Sequence, residues 1–166
     1  LIVSRLGGAK GLVEAAKAAE KLKVRLKIVG EAVGFSMVKN ELLKIKGVEL
    51  LGRVDDQERN SLYAQAEGFI ALAKDEAFGV TPVEAMAAGT PVIAFNGGGF
   101  RESVIDNKTG ILINEVSEKA LEGAIKRFDK AKWNKKEIQE RAKMFSREVF
   151  EKKIKSYIGW VMKENA

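Results

Sequence analysis

The chain has 166 residues, 46% hydrophobic and 31% charged, which suits one domain with a buried core and excludes a disordered chain or a collagen-like repeat. It contains no Cys and no His, so disulfides, thiolate zinc sites, Cys nucleophiles and every Ser-His or Cys-His catalytic pair are excluded. The net charge of +6 sits entirely at the C-terminal end: residues 126–166 hold 13 Lys and Arg against 6 Asp and Glu, and residues 1–125 hold 16 against 17.

Residues 1–4, Leu-Ile-Val-Ser, read as the interior of a buried strand, so the chain is expected to be a fragment preceded by further sequence. Further strands are predicted at 24–29, 48–51, 68–72, 91–95 and 110–113, most of them apolar throughout, as strands covered on both faces are. Helical spacing fills the intervals at 11–23, 35–46, 56–66, 82–88 and 100–104. This alternation predicts a doubly wound, Rossmann-like parallel α/β sheet of about six strands. Three helices follow, at 118–129, 135–144 and 147–163, with Ser146 as the N-cap of the last. That last helix carries Val149, Phe150, Ile154, Tyr157, Ile158 and Val161 on one side, a stripe that must cover something. Its Lys residues alternate with Glu, which favours a solvated face over a nucleic-acid footprint. No apolar run approaches the roughly 18 residues of a membrane span. The abundance of Lys and Glu with three Gln is the bias of heat-adapted proteins.

In such a sheet ligands bind beyond the carboxyl ends of the strands. After the first strand come Arg5 and Lys10, on a loop with three glycines that feeds a helix. Two readings stand there: a phosphate site, or a flexible turn with two solvated cations. After the fourth strand Glu76 and Glu84 flank Phe78, Gly79, Val80 and Thr81. Glu84 is either a ligand-binding carboxylate or the partner in a capping box with Thr81, with Pro82 opening the helix. Glu76, on the loop itself, is better suited to accept from ligand hydroxyls. Gly97, Gly98 and Gly99 imply a turn with positive φ or a close backbone approach. Asp55 and Glu58 form a second capping-box signature, and Arg53 is a solvated cation or the rim of a base pocket.

These segments together resemble the nucleotide-binding C-terminal half of retaining glycosyltransferases of the two-domain GT-B architecture, the group 1 or family 4 type. The matching pieces run from Ser4-Arg5-Leu6 with Lys10-Gly11 through Ile28-Val29-Gly30 and Gly52-Arg53-Val54. They continue with Glu76-Ala77-Phe78-Gly79, Pro82-Val83-Glu84-Ala85-Met86-Ala87-Ala88-Gly89-Thr90-Pro91-Val92, Gly97 to Glu102, and Thr109-Gly110. One departure is Ala71-Leu72-Ala73-Lys74, where the family often has Pro-Ser before its acidic loop.

The resemblance implies that residues 1–166 are a donor-binding domain, with 147–166 a helix that crosses back to an absent N-terminal acceptor domain. Arg5 and Lys10 would hold the donor diphosphate and stabilise the leaving nucleotide. Phe78, Gly79, Val80 and Thr81 would offer amides, Glu84 would accept both ribose hydroxyls, and Glu76 would accept from the transferred sugar. Arg53 and Val54 would lie at the base. The expected donor is a nucleoside-diphosphate sugar such as GDP-mannose, UDP-glucose or ADP-glucose, with no metal and no further cofactor. The hexose would pass with retention by front-side attack, Glu76 as a covalent nucleophile being the alternative. The family's functional His lies in the N-terminal domain, so these 166 residues are expected to bind donor without efficient transfer. Acceptors would be glycans or lipid-linked sugars, in the cytoplasm or at the inner membrane face. The rival reading is a non-catalytic nucleotide-sugar-binding or regulatory module.

Overall fold

The computed structural model describes residues 1–32 and 36–164. Strands β1 (Ile2–Val3), β2 (Leu26–Val29) and β3 (Val48–Gly52) form one parallel sheet, and β4 (Phe69–Ala71), β5 (Val92–Phe95) and β6 (Gly110–Ile113) form another. In each, β2 or β5 is central. The two sheets meet along β1 and β4, where the Ile70 amide donates to the Leu1 carbonyl at 2.9 Å. The Leu1 nitrogen in turn donates to the Gly68 carbonyl at 2.9 Å. The six predicted strands are thus present, all pairings are parallel, and the winding reverses at that seam.

Eight α-helices are described: α1 (Leu12–Leu22), α2 (Met37–Leu42), α3 (Asp56–Gln65), α4 (Val80–Ala87), α5 (Phe100–Ser103), α6 (Glu118–Lys130), α7 (Lys135–Lys143) and α8 (Arg147–Glu164). The predicted start of the second helix at Phe35 lies outside the described residues. Along β4, β5 and β6 side chains alternate between two cores, as a period of two requires, whereas Lys27 of β2 and Glu49 of β3 are exposed. Ile70, Ile93 and Ile111 pack with Leu12 and Ala15 of α1 and Leu121 and Ala124 of α6. Phe69, Ala71, Val92 and Ala94 pack with Tyr63 of α3, Met86 of α4 and Ile138 of α7. Both faces of that sheet are covered, which explains why its strands are apolar nearly throughout.

Two predicted caps form: Asp55 accepts from the Glu58 amide at 2.8 Å and Ser146 from the Val149 amide at 3.4 Å. The Thr81–Glu84 capping box, one of the two readings of Glu84, does not. Helix α4 begins at Val80 with Gly79 as its N-cap at φ 81°, so Thr81 already lies inside the helix and its side chain cannot cap it. Helix α8 has no buried residue, and Phe150, Tyr157, Trp160 and Met162 are each more than half exposed.

Candidate functional site

The seam of β1 and β4 is the place where neighbouring crossovers diverge to opposite faces, and a cleft opens beyond the carboxyl ends of those strands. Ser4, Lys10, Ala73, Glu76, Thr81 and Phe100 are among its lining. A 3-10 turn over Gly8–Lys10 carries Lys10 to the foot of α1. Its Nζ lies 3.0 Å from Glu76 Oε2, with the two side chains 26% and 30% exposed. Residues 66 apart in sequence, both singled out from their loops, are therefore paired in the cleft. Arg5 is exposed on the same loop and pairs with no acidic side chain among the described residues. Arg53 is exposed and Val54 half-buried on the loop after β3, and neither lines the cleft.

The loop carrying Glu76 is clamped from behind. The Gly99 amide donates to the Glu76 carbonyl at 2.9 Å. A Cβ on Gly98 would stand 2.3 Å from that same carbonyl oxygen, and one on Gly99 2.3 Å from Phe78 Cα. The glycine run therefore serves a close backbone approach, and the segment approached is the loop at 76–78. Gly98 also has a φ of 51°, so the positive-φ turn is present as well. Gly79 needs its φ of 81° to turn the chain into α4, and its missing side chain leaves room for the Phe100 ring. Phe78 packs edge-on against Phe145, with ring centroids 5.5 Å apart. Arg141 lies over the other ring of that pair, Phe145, at 5.0 Å. It also donates to the Ser103 carbonyl at 3.0 Å and to the Glu102 carbonyl. The amides of Val80 and Thr81 stand in the first turn of α4, where a helix has no acceptors of its own to offer.

Glu84 projects from the middle of α4 and is 33% exposed. Freed from any capping duty, it accepts from the Tyr63 hydroxyl at 2.8 Å through Oε2. Arg59 Nε lies 3.8 Å from the same oxygen. Burial, then the hydrogen bond and charge of Glu84, push the Tyr63 hydroxyl well above the usual tyrosine range, so it stays a donor. Sequence reasoning missed both Tyr63 and Arg59. The signal available was a Tyr at an apolar helix position, whose hydroxyl needs a partner, with an Arg one turn earlier on the same face.

Residues 1–147 match the family model of glycosyl transferases group 1. An uncharacterized glycosyltransferase of Methanocaldococcus jannaschii is 32% identical over 120 residues, 68% of this chain and 34% of that protein. An alpha-1,3/1,6-mannosyltransferase of Rhizomucor pusillus is 38% identical over 91 residues, 55% of this chain and 20% of its own length. Among solved structures, sucrose-phosphate synthase from Thermosynechococcus elongatus superposes with a TM-score of 0.82 at 26% identity, covering 98% of this chain and 46% of that one. Anabaena HepE, solved with UDP and glucose, gives 0.79 at 26% identity, covering 95% of this chain and 48% of its own. The chain thus spans about a third or less of these curated relatives and under half of the solved chains. Its fold is the α/β unit of the GT-B architecture, and with the family model matching nearly all of its length, the chain belongs to the group 1 glycosyltransferases.

Proposed function

We propose that the cleft at the seam binds a nucleoside-diphosphate hexose, as the donor site of a retaining hexosyltransferase. The observation that carries this reading is the Lys10–Glu76 pair, 3.0 Å apart beside the first turn of α4. A diphosphate entering there would take Lys10 as its counter-ion, with Arg5 as the second cation and the Val80 and Thr81 amides as donors. Phe78 and Gly79 would complete that amide set. Glu76, released from Lys10, would then accept from hydroxyls of the hexose. Glu84 would take the ribose diol, with Arg53 and Val54 at the base. In transfer, Lys10 and Arg5 would stabilise the charge that grows on the departing diphosphate, and that diphosphate would accept the proton of the incoming hydroxyl.

The donor-site reading draws support from UDP and glucose in the Anabaena structure and from the mannosyltransferase among the relatives. Mannose and glucose are accordingly the hexoses proposed. Acceptor and transfer need more protein than these 166 residues, so the isolated chain should bind donor without turning it over efficiently. The exposed apolar and basic α8 would meet the rest of the enzyme, with an anionic membrane surface as a second contact. Among the described residues no helix is long and apolar enough to cross a membrane.

Calorimetric titration with GDP, UDP, ADP and their hexose conjugates tests the reading. Selective binding weakened by both Glu84→Ala and Arg5→Ala is expected. No binding to the wild-type chain at millimolar nucleotide, with none to a longer protein that contains it, would sink the proposal.

A further inference from the structure

Glu84 is held from one side only. Its Oε2 takes the Tyr63 hydroxyl at 2.8 Å and faces Arg59 Nε at 3.8 Å, while no described residue donates to Oε1. Both donors come from α3, at positions four apart, so they stand on the same helix face. Tyr63 is buried and held by its neighbours. Its residue is 1% exposed, its ring packs edge-on to Phe69 at 5.6 Å, and its carbonyl accepts from the buried Thr90 hydroxyl at 2.6 Å. Only the hydroxyl reaches out of the core, and it ends on the carboxylate.

Arg59 adds a second observation. Its Nε is buried and has no hydrogen-bond partner among the described residues. Its Nη1 is engaged with Asp56 at 2.9 Å, which fixes the guanidinium from outside. An orphaned buried donor is costly, and Glu84 Oε2 lies less than an ångström beyond hydrogen-bond range. A small rotation of Glu84 would supply the acceptor.

We infer that Tyr63 and Arg59 are positioning residues for Glu84, holding its Oε2 against α3 so that Oε1 is presented in a fixed direction to a vicinal diol. This rests on the reading of Glu84 as the ribose-binding carboxylate. A carboxylate free to spin about its last torsion would spend much of its time facing elsewhere; one tethered through Oε2 is already aimed. The tether works through Glu84 alone, which makes it separable from a contribution to folding. Tyr63→Phe keeps the ring in the core and removes only the donor.

The test is titration of the wild-type chain, Tyr63→Phe, Arg59→Met, Glu84→Ala and Tyr63→Phe/Glu84→Ala with UDP, GDP and ADP, each against its 2′-deoxy analogue. Tyr63→Phe should weaken ribonucleotide binding about 5- to 10-fold, leave the 2′-deoxy analogue less affected, and so shrink the ribose preference. Arg59→Met should act in the same direction and less strongly. In the Glu84→Ala background Tyr63→Phe should have no further effect, which a general loss of packing would not produce. The inference alone is overturned if Glu84→Ala weakens binding while Tyr63→Phe leaves the ribose preference intact, or if the two substitutions add. A wild-type chain that binds no nucleotide, with none bound by a longer protein that contains it, overturns the donor-site reading and this inference with it.

Discussion

The loops after β1 and β4 lie on opposite sides of one cleft and are built in opposite ways. Around the first, a Cβ on Gly7 or Gly8 would meet nothing within 4 Å. Its exposed Arg5 has no acidic partner among the described residues. Around the second, Gly98 and Gly99 press on the backbone of residues 76–78, Phe100 fills the space beside Gly79, and Phe145 packs on Phe78. The first loop has spare room at Gly7 and Gly8 and a spare charge in Arg5, with Gly11 packed on Leu72 and Val116 at its end, and the other loop is fixed by the core. A site for a charged, extended ligand gains from that division. On the donor-site reading the clamped side would keep the α4 amides and Glu76 aimed, and the open side would let its cations settle on the phosphates as the ligand arrives.

The clamped side should break first. Gly99 has φ −65°, so Ala could adopt its backbone, yet the added Cβ would lie 2.3 to 2.6 Å from three backbone atoms of Ala77 and Phe78. Backbone cannot rotate away as a side chain can. Gly99→Ala is therefore expected to lower stability by about 3 kcal/mol or more, read by urea denaturation. A midpoint within experimental error of wild type would mean that the loop is not clamped.

The next effect probes the seam that sets the two loops side by side. In a 166-residue chain prepared to begin at Leu1, burial lowers the α-ammonium from the ordinary 8.0 to about 6. Between those values the unfolded chain holds the proton and the folded chain does not, so unfolding takes up a proton and stability rises with pH. The penalty on the folded state is full below pH 6 and gone above pH 8, a span worth about 2 to 3 kcal/mol. Denaturation midpoints at pH 5.5 and 8.5 measure it. N-terminal acetylation should flatten the pH dependence, and a slope that survives acetylation would assign it to other groups.

Lys10 bridges the two sides, so its substitution separates stability from binding. The Lys10–Glu76 pair is partly exposed, and such pairs add at most about 1 kcal/mol to stability. Lys10→Met should therefore leave the denaturation midpoint nearly unchanged while weakening nucleoside-diphosphate binding at least about 10-fold, since a cation on a diphosphate is lost. Equal, small effects on both would remove Lys10 from the phosphate site.

How far the sequence anticipates these features follows the same division. The strands, the loops and the acidic pair at 76 and 84 are legible because each is local: a run of apolar residues, a glycine cluster, a fixed spacing. On the loop after β1 the exposed Arg5 is legible because it needs nothing from elsewhere in the fold, whereas Lys10, legible as a loop cation, finds its partner, Glu76, 66 residues away. What holds the other loop is written far away. Phe145 lies 67 residues from Phe78, and Tyr63 lies 21 from Glu84. No periodicity connects them. The Thr81–Glu84 signature misleads for a related reason: it describes a cap correctly wherever the helix starts at residue 82, but Gly79, turned at φ 81° beside Phe100, starts α4 at Val80. Tertiary packing outweighed a local preference worth about 1 kcal/mol.

The smallest expected effect on stability carries the most information about the open loop. Gly8 has no positive φ and empty space where its Cβ would go, so Gly8→Ala fits the folded chain and removes freedom from the unfolded one. The expected change is between none and a gain of about 1 kcal/mol. Affinity then separates the two readings of that loop. If backbone there must approach a phosphate, the added methyl group stands in the way and nucleoside-diphosphate binding weakens although the fold is as stable as before. If the loop is only a turn with two solvated cations, binding is unchanged. The donor-site reading requires the first outcome, because an anion drawn to Arg5 and Lys10 must lie against the turn that joins them.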